Sequence, residues 1–314
     1  MEENIRRFSE GNQEMLKNEK SNDGLKKLSE QWWSSHSQDY RESSDEYYKG
    51  AKIDLPDQDF LDYLDEIDSY FQRDAYFAQN RHDELFETLL PKSILGTRVL
   101  EVGCGLGSHS ERLARKGSIL SSVDISKTSV DVTTRRFELR NLKGEIIKAD
   151  AEHLPFDDDT FDVIWSWGVI HHSPNTVQCA SEIMRVLKPG GELRIMLYHE
   201  RSLYCWLNVY LRYGVFALKF LWFSKQELKN KYTDGRHIGG APLSKYYTRK
   251  EVRQIFPKIS FDKQISFEQK KVISNFFPSK WRQTVEKYIP DALYTFIMAR
   301  VGFLLFSVGK KNGK

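Results

Sequence analysis

The order of apolar and polar residues changes character along this chain of 314 residues. Before residue 92 apolar side chains recur at helical spacing, most clearly over 57–71, where Phe60 and Ile67 share one face and the acidic residues are expected in solvent. Over 98–198 short apolar runs alternate with glycine-rich turns and amphipathic stretches. This alternation predicts a parallel sheet with helices on both faces.

The predicted elements follow directly from this alternation. Strands are predicted over 98–102, 119–124, 144–149, 161–167 and 192–198, and helices over 57–71, 74–90, 108–116, 127–139 and 175–187. The later elements are a helix over 247–256, a strand over 259–268, a helix over 278–300 kinked at Pro290, and a strand over 301–308. We therefore expect a Rossmann-like, doubly wound α/β fold. Its mostly parallel sheet would have seven strands, with the last one antiparallel.

The chain is expected to combine a core with two additions. The predicted parts are a flexible leader (1–30), an N-terminal helical and aromatic cap (31–91), a cofactor-binding core (92–198), a lid insertion (199–245) and the C-terminal part of the core (246–314). The apolar run 203–223 is long enough to span a bilayer, but Arg212 and Lys219 interrupt it. We expect an amphipathic lid helix there, with peripheral membrane contact as the alternative.

Composition and charge narrow the class of protein. The chain is 40% hydrophobic and 29% charged, which is a globular composition. Residues 1–200 carry 25 basic and 37 acidic side chains, a net of −12, whereas 201–314 carry 22 and 7, a net of +15. The basic third either faces phosphate, anionic lipid or an acidic substrate, or compensates the acidic part. Three cysteines and a polar N-terminus predict a cytoplasmic protein without a disulfide framework or a metal site.

A glycine-rich turn joins the first predicted strand to the helix that follows it. Gly103, Gly105 and Gly107 alternate with other residues, so the backbone can pass close to a ligand and turn into the helix N-terminus. Asp124 ends the second strand 21 residues after Gly103, a spacing that suits hydrogen bonds to ribose hydroxyls. Together these residues indicate a cofactor that contains adenosine. The turn lacks the Gly-x-x-Gly continuation of dehydrogenases, which disfavours a nicotinamide enzyme. It also lacks the lysine of a P-loop, which excludes a nucleoside triphosphatase.

Three further segments complete a family pattern: DAEHLPFD at 150–157, FDVIWSWGVIHH at 161–172 and LKPGG at 187–191. With the turn, they resemble the class I S-adenosylmethionine-dependent methyltransferases, in the subgroup that includes the ubiquinone and menaquinone biosynthesis type. The resemblance covers 98–198, is weaker around 246–253, and does not extend to 1–56 or 199–243. It implies S-adenosyl-L-methionine as cofactor and S-adenosyl-L-homocysteine as product.

The resemblance also implies roles for individual residues at the strand ends. Glu101 would orient the methionine ammonium through the turn, in which Gly103, Cys104, Gly105 and Gly107 would pass beneath the amino acid moiety. Asp124 would bind the ribose with Ile125 against the adenine, Asp150 and Ala151 would bind the adenine edge, and Ser166 and Trp167 would flank the sulfonium. Trp167 stands where the family often has a small or polar residue, which narrows the predicted pocket.

Three residues are candidates for the catalytic side of the pocket. His171 and His172 follow the fourth strand, and histidine suits proton removal from a hydroxyl, thiol or amine near neutral pH. His171 ranks first because a histidine at its place is catalytic in phosphoethanolamine-type methyltransferases; alternatively, one of the pair packs the loop before Pro174. Tyr47 is expected to help wall the methyl group. An acceptor with an available lone pair would need no base.

We therefore expect a methyltransferase acting on a small molecule with an apolar or aromatic portion. One alternative is an RNA-modifying methyltransferase, which is disfavoured because the sequence shows no separate RNA-binding domain. The other is a cofactor-binding regulatory protein without chemistry. The acceptor atom and the oligomeric state are left open by the sequence.

Overall fold

The structure is a computed structural model that describes residues 21–36, 52–70, 89–91, 93–236, 239–268 and 279–313. One sheet organises this part of the chain. Its strands are β1 (Arg98–Val102), β2 (Ile119–Asp124), β3 (Glu145–Lys148), β4 (Phe161–Trp167), β5 (Leu187–His199), β6 (Tyr246–Tyr247), β7 (Ile259–Phe267) and β8 (Leu304–Lys311). The strand order is β3-β2-β1-β4-β5-β8-β7, with β6 paired to β5 outside this path. β1 to β5 run parallel, and β8 is antiparallel to β5 and β7.

The helices are α1 (Asn22–His36), α2 (Asp57–Tyr70), α3 (Ser108–Arg115), α4 (Lys127–Leu139), α5 (Thr176–Val186), α6 (Lys225–Tyr232), α7 (Arg249–Ile255), α8 (Ser279–Tyr288) and α9 (Asp291–Val301). Short 3₁₀ turns cover Ile170–His172 and Lys219–Leu221, and a π-helix covers Tyr204–Phe216. Among the described residues no helix combines the length and apolarity that crossing a bilayer requires.

The sheet separates two apolar layers, as a doubly wound fold requires. Along β4, Trp165 and Trp167 pack into one layer and Ile164 into the other, because successive side chains point to opposite faces. α5 and α7 cover the face of Ile164, through residues such as Cys179 and Val252. The predicted α/β fold with its antiparallel last strand is confirmed, and the two-residue strand β6 is an eighth strand that the sequence did not predict.

Several predicted boundaries are wrong, for identifiable reasons. The leader was expected to be frayed or partly helical and to end at residue 30, but α1 crosses that boundary from residue 22 to residue 36, with Leu28 and Trp32 buried. The single helix predicted over 278–300 is two helices, because Pro290 has an extended backbone and caps α9. The strand predicted from 301 begins at 304. The helix predicted over 74–90 lies almost entirely outside the described residues.

α2 packs on α4 through an apolar stripe and a row of ion pairs. Phe60 and Leu64 are fully buried against the core, in one cluster with Leu106 and Val132. Arg135 and Arg136 of α4, with Arg140 directly after it, pair with Asp57, Asp68 and Asp65 of α2, in that order. The acidic face of α2 was expected in solvent; Asp57 and Asp65 are exposed as expected, whereas the side chain of Asp68 is only 15% exposed. Helix α2 is thereby fixed next to the glycine-rich turn, since Arg136 also bonds the carbonyl oxygen of Leu106 at 3.1 Å.

Candidate active site

A cavity opens at the carboxyl ends of β1, β2 and β4, where the strand order reverses around β1. The predicted residues that line it are Glu101, Gly103, Cys104, Gly105, Asp124, Ile125, Asp150, Ala151, Trp167 and His172. Gly107, Ser166 and His171 lie outside its wall, and Tyr47 lies outside the described residues. The cavity therefore lies where open parallel sheets bind their ligands.

The glycine-rich turn is held by the end of β2. The amide nitrogens of Gly103 and Cys104 donate to the carbonyl oxygen of Val123 at 2.7 and 3.1 Å. Gly103 has φ +88°, and a Cβ there would lie 2.1 Å from Val169, so only glycine fits. Asp124 accepts the amide of Gly105 on one carboxylate oxygen at 3.0 Å and the amide of Ser126 on the other at 2.9 Å. This carboxylate keeps a lone pair on each oxygen for a ligand.

Glu101 is buried at the bottom of the turn. Its Oε2 accepts hydrogen bonds from the hydroxyls of Ser110 and Ser122, the latter at 2.9 Å. Burial raises the pKa of Glu101 to about 7, although the two serine hydrogen bonds act in the opposite direction. A positive charge entering the cavity beside Glu101 would therefore meet a carboxyl group that ionises near neutral pH.

An ion pair that the sequence did not predict closes one side of the cavity. Lys26 of α1 contacts Asp150 at 2.7 Å and Glu152 at 2.6 Å. Burial alone would lower the pKa of Lys26, but the hydrogen bonds to both carboxylates outweigh it and raise the pKa. Ser29 and Trp33, on the same helix, also line the cavity. The signal that predicts this helix is the spacing of Leu25, Leu28 and Trp32, although no local pattern identifies the partners of Lys26.

Aromatic side chains form the wall next to Trp167. The rings of Trp165 and Trp167 stack with centroids 5.8 Å apart, and His109 lies edge-on to both. The indole N–H of Trp165 donates to Nδ1 of His109 at 3.1 Å. Burial, with the charges of Arg112 and Arg136, lowers the pKa of His109 to about 3. His109, which the sequence analysis missed, is therefore a neutral lining residue.

The two candidate histidines differ in position. His172 lines the cavity, and its Nδ1 lies 2.6 Å from the carbonyl oxygen of Leu243. His171 is fully buried behind the wall, with its ring 4.0 Å from that of Tyr198, and neither of its nitrogens has a hydrogen-bond partner among the described residues. Burial lowers the pKa of His171 well below its usual value, and His172 adds to this effect. Of the two candidates, His172 therefore lines the cavity and His171, which the sequence ranked first, does not.

His172 belongs to a buried polar group that includes the insertion. Its Nε2 lies 3.7 Å from Oδ2 of Asp234, whose Oδ1 accepts the hydroxyl of Tyr198 at 2.7 Å. The hydroxyl of Ser244 donates to Oδ2 of Asp234 at 3.3 Å. Burial lowers the pKa of His172, while Asp234 and the contact with Leu243 act in the opposite direction. His172 is therefore neutral at pH 7, with a carboxylate beside it that can stabilise a proton.

Comparison with known proteins identifies the core. Residues 100–195 match a family model described as a methyltransferase domain. The chain is 32% identical over 171 residues to the methyltransferase GfsG of Streptomyces halstedii, covering 47% of this chain and 60% of that protein. It is 31% identical over 135 residues to the demethylmenaquinone methyltransferase of Clavibacter sepedonicus, covering 42% and 55%.

The fold is also that of a solved methyltransferase. A SAM-dependent methyltransferase from Methanosarcina mazei superposes with a TM-score of 0.51 at 17% identity, covering 73% of this chain and 98% of that one. Residues 100–195 form a class I S-adenosylmethionine-dependent methyltransferase domain. The chain spans 55–60% of the length of the two curated relatives, so the similarity rests on this methyltransferase domain.

The residues of the methyltransferase domain fit its cofactor, S-adenosyl-L-methionine, in their donor chemistry. Asp124 offers carboxylate lone pairs at the end of β2, and Glu101 offers an acid beneath the turn. Asp150 is the residue to which the resemblance assigns the adenine edge, and its Oδ2 forms an ion pair with Lys26 at 2.7 Å. Ser166 keeps a buried hydroxyl with no hydrogen-bond partner among the described residues, but it lies behind the wall. The described residues hold no metal-binding cluster.

Proposed function

We propose that the whole chain methylates a proton-bearing atom of a small, partly lipophilic molecule, and that His172 accepts the proton. S-adenosylmethionine, when bound, supplies the methyl group. The observation that carries the proposal is the position of His172, with one ring nitrogen fixed on the protein and the other beside Asp234. His171 has no comparable access to the cavity.

The tautomer of His172 follows from its partner. The carbonyl oxygen of Leu243 can only accept, so the proton of a neutral imidazole lies on Nδ1. Nε2 then keeps the basic lone pair, and this nitrogen lies 3.7 Å from Oδ2 of Asp234. Tyr198 and Ser244 hold this carboxylate in place through their hydroxyls. Asp234 is thus a positioning residue that stabilises the imidazolium.

The lipophilic character of the acceptor is supported by the lining and by one relative's name. Trp33, Trp167 and Tyr198 present aromatic surface to the cavity beside His172. The relative from Clavibacter sepedonicus is named for demethylmenaquinone, a lipophilic quinone. Aromatic walls also exclude water from a sulfonium group, which favours methyl transfer to the acceptor over hydrolysis.

The test is a transfer assay with variants of the two histidines. His172→Asn keeps a donor for the carbonyl of Leu243 but removes the base, and we expect it to lower the turnover rate by about 10²-fold or more. His171→Asn is the matched control and should keep most of the turnover per cofactor-binding molecule. Tritiated S-adenosylmethionine is offered with a prenylated hydroquinone, a hydroxylated macrolide and bulk RNA, while calorimetry measures cofactor affinity separately.

Each outcome has a definite meaning. Loss of turnover in His171→Asn alone would restore the sequence ranking, and retention in both variants would show that alignment without a base suffices. Methylation of RNA only would favour the RNA-modifying alternative. Cofactor binding without transfer to any of these acceptors would count against this acceptor class and favour a regulatory role.

A further inference from the structure

The insertion ends in a tip of apolar side chains that face solvent. Among them Phe216 is 71% exposed, Leu221 69%, Trp222 68% and Trp206 60%. All four lie within 17 residues, between the start of the π-helix and the turn after the 3₁₀ segment. Exposed aromatic and aliphatic side chains at this density mark a surface that contacts another apolar phase.

The tip is a folded structure. The ring of Phe220 packs so closely on Gly214 that a Cβ at this glycine would lie 2.2 Å from it. Leu218 has φ +54°, a backbone conformation that is costly for leucine and reverses the chain between the π-helix and the 3₁₀ turn. The amide of Ala217 donates to the carbonyl of Arg212 at 3.1 Å, which closes the π-helix. The fold therefore holds the apolar side chains outward at a fixed place.

The segment that forms the tip carries only positive charge, although Glu200 lies beside it, where it accepts a hydrogen bond from Tyr210 at 2.9 Å and pairs with Lys229. No acidic residue occurs from 202 to 226, and 201–236 carries seven basic residues against Glu227 and Asp234. Lys219 lies within the tip, and Lys231 lies 5.4 Å from the ring centroid of Phe223. Lysine next to exposed tryptophan and leucine is the composition of surfaces that insert between lipid headgroups. A second copy of the same surface would be repelled by these charges.

The tip is connected to the cavity through packed aromatic rings. Tyr204 at the start of the π-helix lies 4.7 Å from Phe303 between ring centroids, and Phe303 stacks at 4.4 Å on Tyr198, which lines the cavity. The hydroxyl of Tyr204 also donates to the carbonyl oxygen of Tyr232 at 2.6 Å. Packed rings therefore run from the start of the π-helix, two residues before the tip, to the cavity wall.

We propose that the tip formed by residues 206–222 docks this protein on an anionic lipid bilayer, with Phe216, Leu221 and Trp222 between the headgroups and Lys219 on the lipid phosphates. This proposal goes beyond methyl transfer and does not depend on it. Residues 203–223 then form an interfacial anchor that does not span the bilayer, which is consistent with the finding that no described helix is long and apolar enough to cross it.

The experiment is sedimentation of the full chain with vesicles of phosphatidylcholine, with and without about one third phosphatidylglycerol. We expect binding to the anionic vesicles at physiological ionic strength, and much weaker binding to the neutral ones. The combined change of Leu221→Ser and Trp222→Ser should reduce partitioning at least about tenfold. The matched control is Trp281→Ser, which replaces a tryptophan on α8 that is 53% exposed. This variant should bind the vesicles as the unaltered protein does.

Charge is tested in the same way. Lys219→Gln with Lys225→Gln should weaken binding to anionic vesicles about 30-fold, whereas Lys258→Gln with Lys263→Gln, two exposed lysines near and on β7, should change it little. Calorimetry with S-adenosylmethionine checks that each variant is folded. Failure of the unaltered chain to bind anionic vesicles would overturn the proposal, and so would equal binding by the tip variants. A self-association that is lost on changing Trp222, without vesicle binding, would assign the tip to a second copy instead.

Discussion

Replacing Glu101 by glutamine separates what this residue costs the fold from what it contributes to the site. The carboxyl is fully buried, and Ser110 and Ser122 both donate to the same oxygen, Oε2. The amide oxygen of a glutamine can accept both hydrogen bonds, and the side chain has the same shape. The variant therefore removes the ionisation of Glu101 while preserving the packing around it.

The cost follows from the raised pKa. The pKa of Glu101 lies at about 7 in the folded protein, against 4.5 for an unperturbed glutamate. Between pH 4.5 and about 7 the folded chain holds a proton that the unfolded chain has released, so the free energy of unfolding falls as pH rises through this interval. Above about pH 7 the whole cost is present, and it amounts to about 3 kcal/mol at about 1.4 kcal/mol per pKa unit.

Thermal unfolding without cofactor measures this cost. At pH 8 we expect Glu101→Gln to unfold about 5 °C above the unaltered protein, whereas at pH 5 the two should unfold within about 1 °C of each other. Glu145→Gln is the matched control, since it changes an exposed glutamate at the start of β3 and should have no comparable pH-dependent effect. Identical pH profiles for Glu101→Gln and the unaltered protein would refute the assignment of a near-neutral pKa to Glu101.

The same variant should lose affinity for S-adenosylmethionine. The cofactor's ammonium group, which the resemblance places near Glu101, favours the ionised carboxylate and so lowers the pKa of Glu101. Binding below about pH 7 then releases a proton, and calorimetry should show affinity rising by up to about tenfold from pH 6 to pH 8. In Glu101→Gln this dependence should be absent and the affinity lower at pH 8. If Glu101→Gln were more stable than the unaltered protein and bound S-adenosylmethionine equally well, the cofactor's ammonium group would not lie near Glu101.

Two further changes test the rest of the cofactor side. Lys26→Gln removes the ion pair with Asp150 and Glu152, which is worth about 1 kcal/mol, and should speed hydrogen exchange in α1 about fivefold. Lys27→Gln, an exposed neighbour, should leave that exchange unchanged, and equal exchange in both would show that the ion pair does not hold the helix. Asp124→Ala should weaken S-adenosylmethionine binding by roughly 1 to 3 kcal/mol in calorimetry, because it removes the carboxylate expected to bind the ribose and releases the amide of Gly105. Undiminished affinity would contradict this prediction.

The elements that sequence predicts well are those whose pattern is local. The buried strand β4 is recognisable as a run of large apolar residues interrupted only by Asp162 and Ser166, and the turn at Gly103 is recognisable because its φ of +88° admits little besides glycine. Asp124 is predictable for the same reason, since it is the last residue of the strand that positions it. The methyltransferase domain was recognised from such local signals.

The contacts that sequence reasoning missed join residues far apart along the chain. Lys26 and Asp150 are 124 residues apart, and His172 and Asp234 are 62 apart. No periodicity specifies such pairs, because they depend on how α1 and the insertion pack on the core. The two histidines illustrate the limit most clearly. His171 and His172 are adjacent and chemically identical, and only the path of the backbone through the 3₁₀ turn decides which one lines the cavity.

The division between predicted and missed residues coincides with a division within the cavity. The cofactor side is built from the ends of β1, β2 and β4, which any chain of this fold must bring together. Residues of α1 complete the cavity wall, and residues 234–244 contact the lining residues His172 and Tyr198; both segments lie outside the alternating core. The cofactor is therefore predictable from the core sequence, whereas the contacts that the additions make to His172 and Tyr198 are not. Residues 199–245 carry both Asp234 beside His172 and the exposed tip, so under the two proposals made above one segment would both assist proton acceptance and present the surface from which a lipophilic acceptor would arrive.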